Sequence, residues 1–383
     1  MNPLRIALVR QRYSAFGGAE RFVARAVQSL QGEGADITMV TRKWDEGQGF
    51  RALICAPPYV GSLWRDWGFA RCVCSTLRRH RFDLVQSHER IACCDVYRAG
   101  DGVHREWLAQ RRRSLGTAAR IGIALNPYHH YVMAAEKRLF HSPQLKAVIC
   151  NSRMVKDEIR RYFGLPESRL HVIYSGVDTD MFHPRLKPLH REAVRDRLGI
   201  PEDATLFLFV GSGFSRKGVP ALLRAIATLP ASAHVLLVGR DKHLERYARE
   251  AAALNLAQRA HFVGAQQDVA PFYGAADALV LPTLYDPFPN VALEAMAAAL
   301  PVITSLKSGA AELVEEGVNG YVCDALDVAR LAALMTKLLL PAQREQMGVA
   351  ARRTVEPLTL AAMSQELLAL YHELLDEQPT VTP

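Results

Sequence analysis

Short apolar runs alternate with helical stretches along this chain, and the series starts twice. R-I-A-L-V (5–9), D-I-T-M-V-T (36–41), F-D-L-V-Q-S (82–87), A-V-I-C-N-S (147–152) and L-H-V-I-Y (170–174) read as strands of a first unit. L-F-L-F-V-G (206–211), H-V-L-L-V-G (234–239), H-F-V-G (261–264), A-L-V-L-P (278–282), P-V-I-T-S (301–305) and G-Y-V-C (320–323) read as strands of a second. Helical stretches such as 67–79, 153–163 and 243–254 lie between them. Strands separated by helices form a parallel sheet covered on both faces. The pattern therefore predicts an α/β protein of two Rossmann-like, doubly wound domains, a division that 383 residues accommodate. The irregular, basic H-P-R-L-K-P-L-H (183–190) reads as the linker, giving domains over 1–185 and 186–358. A final helix and tail occupy 359–383.

Charge divides along the same line. Residues 1–185 hold 29 Lys+Arg against 17 Asp+Glu, whereas 186–383 hold 18 against 22. A basic first half suits an anionic partner such as lipid headgroups, a phosphorylated substrate or nucleic acid, or else a solubilising surface. The seven cysteines show neither C-x-x-C nor zinc spacing, so reduced, mostly buried thiols in a reducing compartment are expected. The N-terminal apolar run is too short for a signal peptide, and no stretch of about 18 apolar residues marks a membrane span. A soluble or peripherally bound protein is the expectation.

Chemistry concentrates where strands end. In L-P-T-L-Y-D-P-F-P-N-V-A-L-E-A-M (281–296), Pro287 and Pro289 keep the segment after a strand out of a helix. Asp286 then lies on the loop and Glu294 in the following helix, at the strand edge where open α/β sheets bind ligands. Two carboxylates facing a polyhydroxylated ligand, or an acidic helix start complementing the dipole, both account for them. V-G-S-G-F-S-R-K-G (210–218) leaves a strand and enters a helix, with Arg216 and Lys217 beside the helix start. Backbone N–H groups, a positive dipole end and two cations suit a pyrophosphate. A glycine turn with solvated basic residues is the plainer alternative.

The first half repeats the logic weakly in S-A-F-G-G-A-E-R (14–21), where Gly17 and Gly18 precede a helix and Glu20 can meet a ligand or the dipole. D-V-Y-R-A-G-D-G-V-H-R-E-W-L (95–108) brings Asp101 and His104 beside a G-D-G turn, although turn chemistry alone also explains Asp101. His88, in Q-S-H-E after a strand, is a ligand contact or a satisfied structural histidine. Arg111–Arg113 with Trp64, Trp67 and Trp107 form a membrane-surface patch or, more plainly, solvated arginines and core tryptophans.

These motifs, with V-I-Y-S-G-V-D-T-D-M-F-H-P (172–184) and S-G-A-A-E-L-V-E-E-G-V-N-G-Y-V (308–322), occur in the order of one family. The chain resembles, over nearly its whole length, the retaining family-4 glycosyltransferases of the GT-B fold. Within them it is most like the lipopolysaccharide core glucosyltransferases. The resemblance implies two Rossmann-like domains facing each other across a cleft, with the C-terminal helix packing back on the N-terminal domain. It implies a nucleotide sugar, UDP-glucose, bound mainly by the C-terminal domain.

By the same resemblance, Arg216 and Lys217 neutralise the diphosphate and Glu294 meets the ribose hydroxyls. Asn290 joins the donor-binding set, and Gly17 and Gly18 approach the diphosphate from the N-terminal side. Asp286 stands at the first acidic position of an E-x7-E motif near the hexose, with a shorter reach than the glutamate usual there. Asp101 falls beside the reacting carbon, while Glu20, His88 and His104 lie on the acceptor side.

Cleaving the anomeric bond leaves negative charge on the nucleotide, which Arg216, Lys217 and helix dipoles would stabilise. With the leaving group stabilised in this way, no metal and no further cofactor are expected. The expected acceptor is a heptose of a phosphorylated lipopolysaccharide core, met by the basic half at the cytoplasmic face of the inner membrane. Alternatives keep the fold with another donor, such as UDP-N-acetylglucosamine, or an exopolysaccharide lipid. A non-catalytic nucleic-acid- or sugar-binding protein is the alternative of another class. No recognised nucleic-acid motif supports it.

Overall fold

The computed structural model describes residues 4–12, 34–43 and 51–376. It divides into two compact units, Met1–Ser175 with Leu360–Pro383, and Gly176–Thr359. The chain thus crosses between units ahead of residue 185, and the expected linker is irregular only over 183–185. Its second half opens the helix Leu186–Leu198. Pro188 fits there because the first turn of a helix has no use for its missing N–H.

In the first unit the strands are β1 (Arg5–Val9), β2 (Asp36–Thr41), β3 (Arg51–Ile54), β4 (Leu84–Ser87), β5 (Val96–Arg98), β6 (Ala147–Cys150) and β7 (Leu170–Val172). They form one parallel sheet in the order β3-β2-β1-β4-β5-β6-β7. Alternation along each strand feeds two cores. Ala7, Val9, Val40, Tyr97 and Val148 face Phe69 and Val73 of the helix Gly61–Arg79, and Leu139 and Phe140 of the helix Pro127–Phe140. Ile6, Leu8, Ile37, Met39, Leu84 and Ile149 face the other way. That second face is covered by Met363, Leu367, Leu370, Tyr371 and Leu374 of the C-terminal helix Leu360–Asp376. Their three- and four-residue spacing makes one apolar stripe. The last helix of the chain therefore packs on the first sheet, as expected.

The second unit contains β8 (Thr205–Val210), β9 (Ala233–Val238), β10 (Ala260–Gly264), β11 (Ala278–Leu281), β12 (Val302–Ser305) and β13 (Gly320–Cys323). All pair in parallel in the order β10-β9-β8-β11-β12-β13. Strands β8, β9 and β11 are buried along their whole length, which is why they read as unbroken apolar runs.

A buried ionic cluster ties this unit together. Asp277, 7 % exposed, accepts from Arg195 Nη2 at 2.7 Å, Arg191 Nη1 at 3.0 Å and the Leu206 N–H at 2.8 Å. The Arg195 guanidinium also donates to the carbonyls of Pro201, Glu202, Ala204 and Ala275.

Two expectations are corrected here. Cys74 on the helix Gly61–Arg79 and Cys93 in the loop after β4 form a disulfide, with Cα atoms 5.7 Å apart. The other five cysteines are free thiols. Helix packing on the sheet sets that pairing, so spacing gave no sign of it. Closing a loop of this size stabilises a fold by about 3 kcal/mol through the entropy of the unfolded chain. Trp64 and Trp67 are not core residues; they are 55 % and 40 % exposed. Among the described residues no helix is long and apolar enough to cross a membrane.

Candidate active site

In each sheet the strand order reverses direction at one point, between β1 and β4 in the first and between β8 and β11 in the second. Loops leaving the carboxyl ends of the two strands at such a point diverge and leave a crevice for ligands. In the second unit those loops carry the residues singled out from sequence. Gly211–Lys217 follows β8, and Pro282–Pro289 follows β11.

The two loops are bound to each other. Gly218 has φ 81°, and a Cβ there would lie 1.9 Å from the Pro282 carbonyl oxygen, so only glycine permits the approach. The Leu284 N–H donates to the Arg216 carbonyl at 2.9 Å, and Thr283 Oγ1 donates to the same oxygen at 3.2 Å. Side chains complete the junction. Lys217 Nζ donates to Asp286 Oδ2, and both residues are buried. Arg216 Nη1 lies 3.5 Å from the same carboxylate oxygen and donates to the Tyr285 carbonyl at 3.1 Å.

Two cations thus converge on one carboxylate oxygen at the reversal point. Asp286 is itself fixed through its backbone: its N–H donates to Lys307 at 2.9 Å and its carbonyl accepts from Gly309 at 2.8 Å. Between those two residues sits Ser308, 2 % exposed, whose hydroxyl has no hydrogen-bond partner among the described residues. A buried orphan hydroxyl beside an ionic cluster calls for an acceptor, which a ligand oxygen would supply. The sequence showed Ser308 only as part of a motif.

Asn290 begins the helix Asn290–Ala297, and Glu294 lies beyond its first turn, which holds no acidic side chain. Glu294 is 4 % exposed and accepts from Tyr273 Oη at 2.7 Å. Tyr273, itself buried, is a partner that sequence reasoning missed.

In the first unit, Asp101 and His104 gather around a pair that the sequence did not reveal, Arg90 and Glu136. Arg90 Nε donates to Glu136 Oε1 at 2.9 Å, and its Nη1 lies 3.4 Å from Asp101 Oδ2. The His104 N–H donates to Glu136 Oε1 at 2.9 Å, and its ring Nε2 lies 3.1 Å from Nδ1 of His129. Burial, then the Arg90 charge, lower the His104 pKa to about 3, so that ring is neutral at neutral pH. The Asp101 side chain is open to solvent.

His88 is set apart from these residues, buried with Nε2 3.2 Å from Nε2 of Gln86. Gln86 in turn accepts from Tyr371 Oη of the C-terminal helix. Burial, then Arg98, hold His88 well below the usual histidine range. Gly17, Gly18 and Glu20 lie outside the described residues.

Structures of this architecture have been solved before. A WaaG glycosyltransferase involved in lipopolysaccharide biosynthesis superposes with a TM-score of 0.83 at 25 % identity, covering 95 % of this chain and 99 % of that one. Anabaena HepE in complex with UDP and glucose superposes at 0.72 with 20 % identity, covering 97 % and 100 %. The fold is GT-B.

In sequence, residues 190–354 match the family described as Glycosyl transferases group 1, and 16–181 match Glycosyltransferase Family 4. The lipopolysaccharide glucosyltransferase WaaG of Escherichia coli K12 is 28 % identical over 323 residues, 83 % of this chain and 84 % of that protein. A D-inositol 3-phosphate glycosyltransferase of Streptomyces avermitilis is 32 % identical over 336 residues, 79 % and 69 % of the two chains. The chain belongs to the family-4 glycosyltransferases and is similar to the lipopolysaccharide core glucosyltransferases among them.

Proposed function

We propose that this protein moves glucose from UDP-glucose onto a heptose of the lipopolysaccharide core, retaining the α configuration and using no metal. The observation that carries the reading is the cationic pair Arg216 and Lys217 at the strand-order reversal of the second unit, held by Asp286. Negative charge grows on the diphosphate as the anomeric C–O bond breaks. Two fixed cations stabilise that charge more in the transition state than in the bound donor, which is what accelerates transfer. In the ligand-free site Asp286 occupies the cations. A diphosphate meets the two cations where Asp286 holds them.

Glucose and a lipopolysaccharide acceptor rest on likeness to WaaG, named as a lipopolysaccharide glucosyltransferase, and the heptose on the resemblance carried by the sequence motifs. The likeness to an inositol 3-phosphate glycosyltransferase supports a second reading, in which the same site serves a different donor or acceptor. Incubating the enzyme and a heptose-terminated core with a panel of UDP-sugars, in EDTA, separates the two. Turnover with UDP-glucose and an α-linked product is expected. Turnover only with UDP-N-acetylglucosamine, or only with divalent metal restored, would overturn the glucose or the metal-free part of the reading.

Peripheral attachment to an anionic membrane surface is part of the same reading. Ile121 and Leu125 are 54 % and 74 % exposed on the helix Thr117–Leu125, close in sequence to the basic run Arg111–Arg113. Apolar side chains beside arginines are the make-up of an interfacial helix. The protein is expected to float with vesicles containing phosphatidylglycerol and to remain behind with phosphatidylcholine alone. Equal partitioning would sink this attachment.

A further inference from the structure

The helices Gly61–Arg79 and Pro127–Phe140 enclose, with the loop after β4, a cavity of about 780 Å³. That volume lies within the range of small-molecule sites. The cavity belongs wholly to the first unit, whereas the Lys217–Asp286 junction belongs to the second.

Its lining has an uncommon charge. Arg71, Arg78, Arg90 and Arg138 all contribute to the wall, and among the described residues no carboxylate does. Arg90 is committed to Glu136 and Asp101. Arg71, Arg78 and Arg138 form no ion pair with any described residue. The Arg71 guanidinium instead lies over the Trp67 ring, 5.1 Å from its centroid. Three arginines around one concavity, with no acid paired to them among the described residues, suit an anion. The planar fork of each guanidinium matches phosphate oxygens in particular.

Apart from Ser75, the rest of the wall is largely apolar and aromatic. Trp67 and Tyr131 line it together with aliphatic side chains. An inorganic ion would leave these surfaces unused, whereas an organic phosphate covers them. The walls are also braced: the Cys74–Cys93 disulfide joins one helix to the β4 loop, and both cysteines belong to the segments that bound the cavity. Bracing lowers the ordering cost of binding.

We propose that this cavity is a binding site for an organic phosphate, an anion carrying an apolar or ring-shaped body. Phosphate oxygens meet Arg71, Arg78 and Arg138, and the body lies against Trp67 and Tyr131. The proposal does not depend on the transfer reaction, because binding is measured without donor or acceptor.

Phenyl phosphate titrated into the full-length protein is the direct probe, read by calorimetry and by tryptophan fluorescence. Saturable binding is expected, weakened at least about tenfold in the triple variant R71Q/R78Q/R138Q, since each lost charge-assisted contact is worth a sizeable part of that factor. These three side chains are exposed and make no ion pair with any described residue, so the variant should melt near the parent temperature. Competition then identifies the source. Displacement by dihexanoyl phosphatidate but not glucose 6-phosphate assigns a lipid-borne phosphate, and the converse assigns a soluble sugar phosphate. Either result supports the site. Absence of saturable binding, or equal affinity in the parent and the triple variant, would overturn it.

Discussion

Replacing Lys217 with alanine is expected to lower kcat for sugar transfer by about 10²-fold or more. Lys217 is buried and its ammonium is aimed by Asp286, so it is in position before any substrate arrives. Preorganised charge of this kind acts on the transition state without reorganising. Arg216 reaches the same carboxylate at 3.5 Å and is more exposed, so it compensates only in part. The fold should survive, because the backbone links between the two loops do not involve the lysine side chain. Glu294→Ala provides the contrast: its loss is expected in the donor KM more than in kcat. Steady-state kinetics on both variants decides the matter. A kcat for the lysine variant within about threefold of the parent would refute the role.

Replacing Asp277 with alanine is expected to destabilise the second unit by about 3–5 kcal/mol. The reason is what remains behind. Arg195, 2 % exposed, keeps its carbonyl partners but loses the only carboxylate within reach among the described residues. Burial already holds the Arg195 pKa below the usual arginine value, with Asp277 opposing that shift. Removing the acid leaves a buried, uncompensated charge and an unpaired Leu206 N–H at the start of β8. Arg191 and Arg344 lose the same partner at 3.0 and 3.9 Å. Urea unfolding measures the change. A loss below about 1 kcal/mol would show that water or a shifted backbone replaces the carboxylate.

Much of this architecture could be read before any coordinates. Strands buried on both faces announce themselves as unbroken apolar runs, which is why β8, β9 and β11 fell where expected to within a residue or so. Strands β3 and β5 went unread. β3 is a partly exposed edge with a weak pattern, and β5 is three residues long inside a polar motif. The helix at Leu186 hid behind prolines that suggested irregular chain.

The second-unit residues were legible because each lies just past a strong strand, where chemistry and position coincide. Their partners were not. Tyr273 meets Glu294 across 21 residues, Arg90 meets Glu136 across 46, and Cys74 meets Cys93 across 19. Such contacts are set by tertiary packing and leave no local trace. The arginine-lined cavity is the same kind of fact. Its cations come from two helices and a loop, and only folding shows that three of them, Arg71, Arg78 and Arg138, pair with no acid among the described residues.

The order in which the chain is made has a bearing on the C-terminal helix. Domains ordinarily fold in sequence as they leave the ribosome. Here the first sheet waits for residues 360–376 to cover one of its faces, so the first unit is finished only after the second has been made. Until then Ile6, Leu8, Ile37 and Met39 lack that cover while the entire second unit is synthesised. A nascent chain stalled or cut short before residue 360 would display an uncovered apolar sheet, the kind of surface that chaperones hold and proteases find.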